Sequence, residues 1–244
     1  MPRTLPRREP ALQKHHVARL ARVVEVPFPE GRYPAMAEAE FAAVTEGLVA
    51  ELGDGPFWIF AISSLIWNPA FDFVQARPAV AHGWRRSFCM DMQEWRGTPD
   101  QPGLMLALDR GGSCVGMAYQ MPPGDTYAQM LRLVKREYYY RGDEVWRRWL
   151  TVRTRDEVGG QGCTVRALHF YCAPTAHRDV IRLPLHDQAR RLARAVGPAG
   201  SCVEYLHNTV THLEALGIHD RYLWALQAMV AAEIDAAKTE ATGT

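Results

Sequence analysis

The stretch from Phe57 to Pro69 constrains the fold more than any other in this chain. Phe57-Trp58-Ile59-Phe60 is an apolar, aromatic run of strand length, and it predicts a buried β-strand. The run breaks at Ser63 and Ser64, resumes with Leu65, Ile66 and Trp67, and ends at Asn68-Pro69, a turn-forming pair. A strand that leads into small residues can aim successive backbone N–H groups at an anion, because small side chains let a ligand approach. A plain strand-to-turn junction uses the same residues, so this run alone does not separate a site from a corner.

More β material follows. Short runs at 79–89, 104–109 and 114–121 are separated by Gly and Pro, and Asp109-Arg110-Gly111-Gly112 predicts a hairpin loop between the last two. Leu150–Thr154 and Thr164–Tyr171 are two further strands, joined through Gly159-Gly160-Gln161-Gly162. Helices punctuate them. Phe41, Val44, Leu48 and Leu52 recur at helical spacing from Ala37 to Leu52, with Gly53 as the stop. Asp125 or Thr126 caps a helix to about Tyr139, with Leu131 and Val134 on its inner face. His186–Val196 is a third, and Ser201-Cys202-Val203-Glu204 opens the last pair as a capping box, with Leu206, Val210, Leu213 and then Leu223, Leu226, Val230 as apolar faces. Strands without βα alternation, flanked by helices, predict an α+β fold.

At 244 residues the chain suffices for one large domain or two small ones. Residues 1–35 carry six prolines and read as a Pro/Arg-rich arm, either free or draped over the domain, with 36–244 as one domain. The Arg-rich start also fits a mitochondrial-type presequence loosely, but a solvated tail, His15-His16 included, is the expectation. A net charge of +1 leaves no basic footprint for nucleic acid or an anionic membrane, and no apolar run approaches the ~18 residues of a membrane span. Five widely spaced cysteines without a Cys-x-x-Cys pair point to reduced thiols and a cytoplasmic protein. Cys163, His169 and Cys172 lack the fourth partner and the spacing of a metal site, so no metal is expected.

The blocks along the chain resemble the ChaC-like γ-glutamylcyclotransferases. The family's Phe-Gly-Tyr-Gly-Ser-Leu-Ile-Trp-Asn-Pro is matched here by Phe60-Ala61-Ile62-Ser63-Ser64-Leu65-Ile66-Trp67-Asn68-Pro69, in which Ala61, Ile62 and Ser63 replace its Gly-Tyr-Gly. Pro78, Gly83-Trp84, Arg86 and Phe88-Cys89 follow, then Arg96-Gly97-Thr98-Pro99, Pro102-Gly103-Leu104, and Gly111-Gly112-Ser113-Cys114 with Gly116, Ala118 and Tyr119. Arg136-Glu137 and a C-terminal block (Gly197, Gly200, Glu204-Tyr205-Leu206, Thr209, Leu213, Gly217-Ile218, Asp220) complete the order, over about 57–230.

The resemblance implies a small closed β-barrel of mixed strands flanked by helices. It implies an enzyme in which the substrate's own α-amine attacks its γ-glutamyl carbonyl, releasing 5-oxoproline and an amine, with glutathione as substrate and cysteinylglycine as the second product. No cofactor or metal is required, and no nucleic-acid or membrane partner. Glu137 matches the catalytic carboxylate, and Ile62, Ser63, Ser64 and Leu65 match the glutamyl-binding loop. A carboxylate that moves two protons is favoured by burial that raises its pKa.

Two departures stand out. A tyrosine of the family loop is Ile62 here, and a glycine is Ser63, which would be strained if the loop required a positive φ. After Glu137 the family's tyrosine position is approached by Tyr138-Tyr139-Tyr140 too early and by Trp146 more nearly. Three readings remain: a glutathione cyclotransferase, a cyclotransferase for another γ-glutamyl amine, and a silent relative that binds a γ-glutamyl ligand or a protein. Arg136-Glu137 as a solvated helix end, and Arg96, Tyr119, Tyr205, Trp67 and Trp84 as packing residues, are the structural alternatives.

Overall fold

The computed structural model describes residues 9–24, 34–155, 162–170 and 180–242. The described strands close a five-stranded barrel in the order β1-β3-β2-β4-β5, where β1 is Trp58–Ala61, β2 Gln75–Met92, β3 Gly103–Gln120, β4 Arg147–Thr154 and β5 Thr164–Phe170. Its strands are mixed: β1 runs antiparallel to β3 (Phe60 opposite Ala118) and parallel to β5 (Ile59 opposite Leu168), while β4 and β5 are antiparallel (Leu150 opposite Ala167). With helices α1 (Lys14–Arg19), α2 (Glu38–Leu52), α3 (Ser64–Trp67), α4 (Thr126–Glu137), α5 (Leu185–Leu192), α6 (Cys202–Ala215) and α7 (Arg221–Thr242), the fold is α+β. None of the described helices is long and apolar enough to cross a membrane.

The strand expectations hold except at Asp109-Arg110-Gly111-Gly112, where no hairpin forms. β3 continues through all four residues as one strand. The positive φ of Gly111 (97°) and Gly112 (72°), which would suit a turn, is absorbed along the strand. Asp109 is buried and holds Arg85 of β2 at 2.5 Å, so the neighbouring strand runs alongside where a turn would have left it. The local preference is overridden by a partner distant in sequence. β5 ends at Phe170, and most of the glycine loop before it, like Tyr171 and Cys172, lies outside the described residues.

Helix α2 begins one residue after Ala37, and α4 ends at Glu137 rather than Tyr139. On α4 the buried positions are Gln129, Met130, Leu133 and Val134, with Leu131 only half-buried. α5 stops at Leu192, and Val196-Gly197 pairs instead with Gly200-Ser201 as the short strands β6 and β7. Ser201 caps α6 by accepting from the Glu204 N–H at 3.0 Å. The Glu204 carboxylate does not complete the capping box; it turns to Arg96 (3.0 Å).

The chain groups into two compact units. One holds residues 27–87 and 107–179, and its core is the barrel interior, where Trp58, Phe60, Ala79, Leu150, Val152 and Ala167 meet. Alternation along β2 shifts by one at Gly83, whose φ of 81° only glycine adopts without strain. Trp84 therefore follows Ala79 and Ala81 into the interior, while Arg85 meets Asp109. Here α4 also packs beside α2, with Lys135 paired to Glu38 (2.6 Å) and Arg141 to Glu40 (2.8 Å).

The other unit holds 1–26, 88–106 and 180–244. In it the arm is not wholly solvated. Leu12 is buried and its N–H donates to Gln227 Oε1 (2.7 Å), and His16 is buried against Asp235 (3.3 Å) while His15 is exposed. Tyr222 accepts from the Phe88 N–H (2.8 Å), and Arg191 donates to the Pro102 carbonyl (2.7 Å). A Cβ on Gly197 would stand 2.3 Å from the Trp95 carbonyl oxygen and 2.5 Å from the Gly97 nitrogen. The two glycine blocks noted in the sequence thus meet backbone to backbone. Gly197→Ala is expected to cost about 1–3 kcal/mol, because only backbone can yield there; a urea denaturation midpoint equal to wild type would contradict this.

Candidate functional site

β1 leaves the barrel at Ala61, and the next residues form a corner. Ile62 is buried with its side chain in the barrel core, so it offers the corner its backbone and not its side chain. Its carbonyl accepts from Arg86 Nε at 2.9 Å, and Arg86 Nη2 donates to the Val115 carbonyl at 2.8 Å. Ser63 has φ −152°, outside the left-handed region, so replacing a glycine brings no left-handed strain. Its carbonyl accepts the Ile66 N–H (2.8 Å) and that of Ser64 accepts the Asn68 N–H (2.7 Å), which builds the single turn of α3. Leu65 and Ile66 are buried and pin that turn, while Ser63 and Ser64 are half-buried. The amides of Ser64 and Leu65 stand in the first turn, where a helix has no internal acceptor for them.

Glu137 is the last residue of α4, a helix started by Asp125, whose carboxylate accepts the Ala128 N–H at 2.9 Å. Met130, Leu133 and Val134 bury the inner face and set its direction. The Glu137 side chain is 19% exposed and bonded to the Arg136 guanidinium. The other arm of that guanidinium donates to the Asn68 carbonyl at 2.7 Å. Arg136 therefore ties the carboxylate to the end of the Ser63–Asn68 corner, and the two sequence-derived parts of the site come within one guanidinium of each other.

The chain is held tightly after Glu137. Buried Asp143 accepts the N–H groups of Tyr139 (2.9 Å) and Tyr140 (2.8 Å). Tyr138 is fully buried, edge-on to Phe170 at 5.6 Å, and its hydroxyl has no hydrogen-bond partner among the described residues. Burial pushes that phenol well above the ordinary range. Trp146 is buried, Tyr139 exposed. Tyr119 packs against Phe71 and Phe73, and burial raises it to about 12. Arg96 and Tyr205 also have packing roles: Arg96 bridges the Ser201 carbonyl and Glu204 and lies 5.3 Å over the Tyr205 ring.

His169 was considered in the sequence only beside Cys163. It is 4% exposed, and one ring nitrogen lies 2.8 Å from the Phe60 carbonyl just past the end of the β1–β5 ladder. A carbonyl only accepts, so Nδ1 carries the proton and Nε2 is left as an acceptor. Cys163 instead contacts Thr154 (3.3 Å), and Thr154 and His169 face opposite ends of β4. Alternation would have found Arg86 and His169: each lies on a strand among inward-facing apolar residues, where a polar group requires a partner.

Burial, with Arg86 adding to it, pulls His169 from 6.5 down to about 4. Between those values the unfolded chain binds a proton that the folded one does not, so stability falls as pH falls from 6.5 toward 4. The expected loss from this group is on the order of 3 kcal/mol. Urea denaturation at pH 7 and pH 4.5 should show a smaller acid loss in His169→Gln than in wild type; equal losses would assign the effect elsewhere.

Comparison with known proteins places the chain beside one family. The model of the ChaC-like protein family matches residues 57–233. A glutathione-specific gamma-glutamylcyclotransferase of Escherichia coli K12 is 34% identical over 184 residues, 75% of this chain and 77% of the relative. Gamma-glutamylcyclotransferase 2-3 of Arabidopsis thaliana is 30% identical over 172 residues, 68% and 84% of the two chains. A crystal structure of the yeast gamma-glutamyl cyclotransferase specific to glutathione superposes with a TM-score of 0.62 at 19% identity, over 74% of this chain and 97% of that one. This last likeness concerns the fold alone.

Proposed function

Because the chain belongs to the ChaC-like family, we propose that it is a γ-glutamylcyclotransferase that acts on glutathione, releasing 5-oxoproline and cysteinylglycine. The observation that carries this is the bridge from Glu137 through Arg136 to the Asn68 carbonyl, which joins a carboxylate to the corner that would hold the glutamyl group. Residues 36–244 act as the catalytic domain in this reading, with residues 1–35 as an arm.

The chemistry needs no enzymic nucleophile. Glu137 takes a proton from the substrate's α-ammonium, and the freed amine attacks the γ-carbonyl carbon. The carbon–nitrogen bond to the cysteinyl group then breaks as Glu137 returns the proton to the leaving nitrogen, and the second proton shed by the attacking nitrogen passes through the same carboxylate to the released amine, which leaves as an ammonium. A five-membered lactam forms, and the carboxylate ends as it began. The Ser63, Ser64 and Leu65 amides bind the glutamyl carboxylate or the developing oxyanion, with Ile62 fixed behind them by Arg86. Folding the glutamyl arm so that amine and carbonyl meet is an orientation task, which rigid elements suit. Arg136 holds the carboxylate in register and exchanges its contact when substrate arrives. Buried thiols held in no disulfide at Cys89, Cys114 and Cys202 support a reducing compartment, the cytoplasm.

Purified protein incubated with glutathione should yield 5-oxoproline by mass spectrometry. Glu137→Gln should lower that rate at least about a hundredfold with the thermal melt nearly unchanged. Persistent turnover in the variant removes Glu137 from the mechanism. Product from γ-glutamyl amino acids but not from glutathione assigns another γ-glutamyl amine, and none from any substrate leaves a γ-glutamyl-binding protein.

A further inference from the structure

The end of the barrel from which the Ser63–Asn68 corner emerges carries a second set of polar groups that the cyclisation itself does not use. Trp84 lies in the interior, and two guanidiniums stand over its ring: Arg110 of β3 at 5.0 Å and Arg148 of β4 at 5.3 Å. Both arginines are solvent-exposed. Arg148 is directly opposite His169 in the β4–β5 register, so the two share the inner face of the sheet. His169 is buried, and its Nε2 has no hydrogen-bond partner among the described residues. A buried acceptor without a donor costs free energy unless something polar meets it.

This set lies directly behind the proposed glutamyl corner. His169 is bonded to the Phe60 carbonyl and Arg86 to the Ile62 carbonyl, the strand residues that lead into Ser63. We propose that this mouth is the specificity site for the leaving group: Arg110 and Arg148 hold a carboxylate on the amine portion of the substrate, and His169 Nε2 accepts a hydrogen bond from the same portion. The ligand class is a γ-glutamyl peptide with a free carboxylate, as opposed to a neutral γ-glutamyl amine.

Three features fit this assignment. Two cations on one ring bind an anion more strongly than either alone, and the apolar wall that Trp84 provides lowers the local dielectric. His169 stays neutral near pH 7, since burial holds it at about 4, so Nε2 presents a lone pair suited to an amide N–H or a thiol. The fixed Nδ1–H bond to Phe60 sets the ring's direction before a ligand arrives.

The inference rests on the cyclotransferase reading, and its test separates the two. Steady-state kinetics are measured with glutathione and with its glycine-carboxyl ethyl ester. Wild type should show a KM for the ester about tenfold above that for glutathione, with similar kcat, the effect of one charge-assisted contact. The double variant Arg110→Ala/Arg148→Ala should raise KM for glutathione about tenfold and erase its advantage over the ester, with an unchanged melt. Arg148→Lys should restore part of it when Arg110 is intact beside it, relative to Arg148→Ala. Equal KM for the two substrates in wild type, or a double variant that still prefers glutathione, overturns the inference while the cyclotransferase stands. If wild type turns over neither, the cyclotransferase reading fails. Calorimetric titration of the two compounds into wild type and double variant then decides: a preference for the free acid that the double variant loses supports the mouth, and no preference overturns it.

Discussion

The buried guanidinium of Arg86 is the interaction on which the loop end of the barrel depends. β1 stops pairing at Ala61, so the carbonyl of Ile62 leaves the ladder inside an apolar wall. An unsatisfied carbonyl there would be costly, and so would an unsatisfied cation. Arg86 meets both requirements by donating to Ile62 and to Val115 on the neighbouring strand. It thereby sets where β1 ends and where the Ser63–Asn68 corner begins. Such a charge contributes less through net stability than through fixing one geometry.

The same logic recurs one residue pair away. His169 takes over the Phe60 carbonyl where the parallel ladder with β5 ends. Arg136 does so outside the barrel, spanning Glu137 and the Asn68 carbonyl. Each of these cationic or imidazole groups donates to a main-chain carbonyl at the start or the end of the corner. A corner built this way is rigid without long stretches of secondary structure, which suits a reaction whose main demand is orientation.

How much of this was legible in the sequence varied by element. The strands Trp58–Ala61 and Thr164–Phe170, and the helices opened by Asp125 and Ser201, follow from local patterns of apolar residues and caps. The hairpin expected at Asp109–Gly112 did not form, because pairing of Asp109 with Arg85 on β2 outweighs turn preference. The site was legible as residue types, Glu137 and the small residues at 63–64, but not as contacts. Nothing local says that Arg136 reaches Asn68 some seventy residues earlier, or that Ile62 turns its side chain into the core. His16, read as part of a solvated tail, is buried against Asp235, a partner near the other end of the chain.

By itself the sequence determined the family, through ordered blocks from Phe57 onward, and with it the α+β class and the candidate base. Those features are written in residue type and spacing, which survive without coordinates. Only the tertiary structure decided that Ser63, at φ −152°, stays outside the left-handed region, and that Gly83 shifts the alternation of β2 and turns Trp84 inward. It also brought Arg110, Arg148 and His169 to one end of the barrel. The reason is that a closed sheet fixes register between strands far apart in the chain, and register is a property of pairs that no single strand encodes.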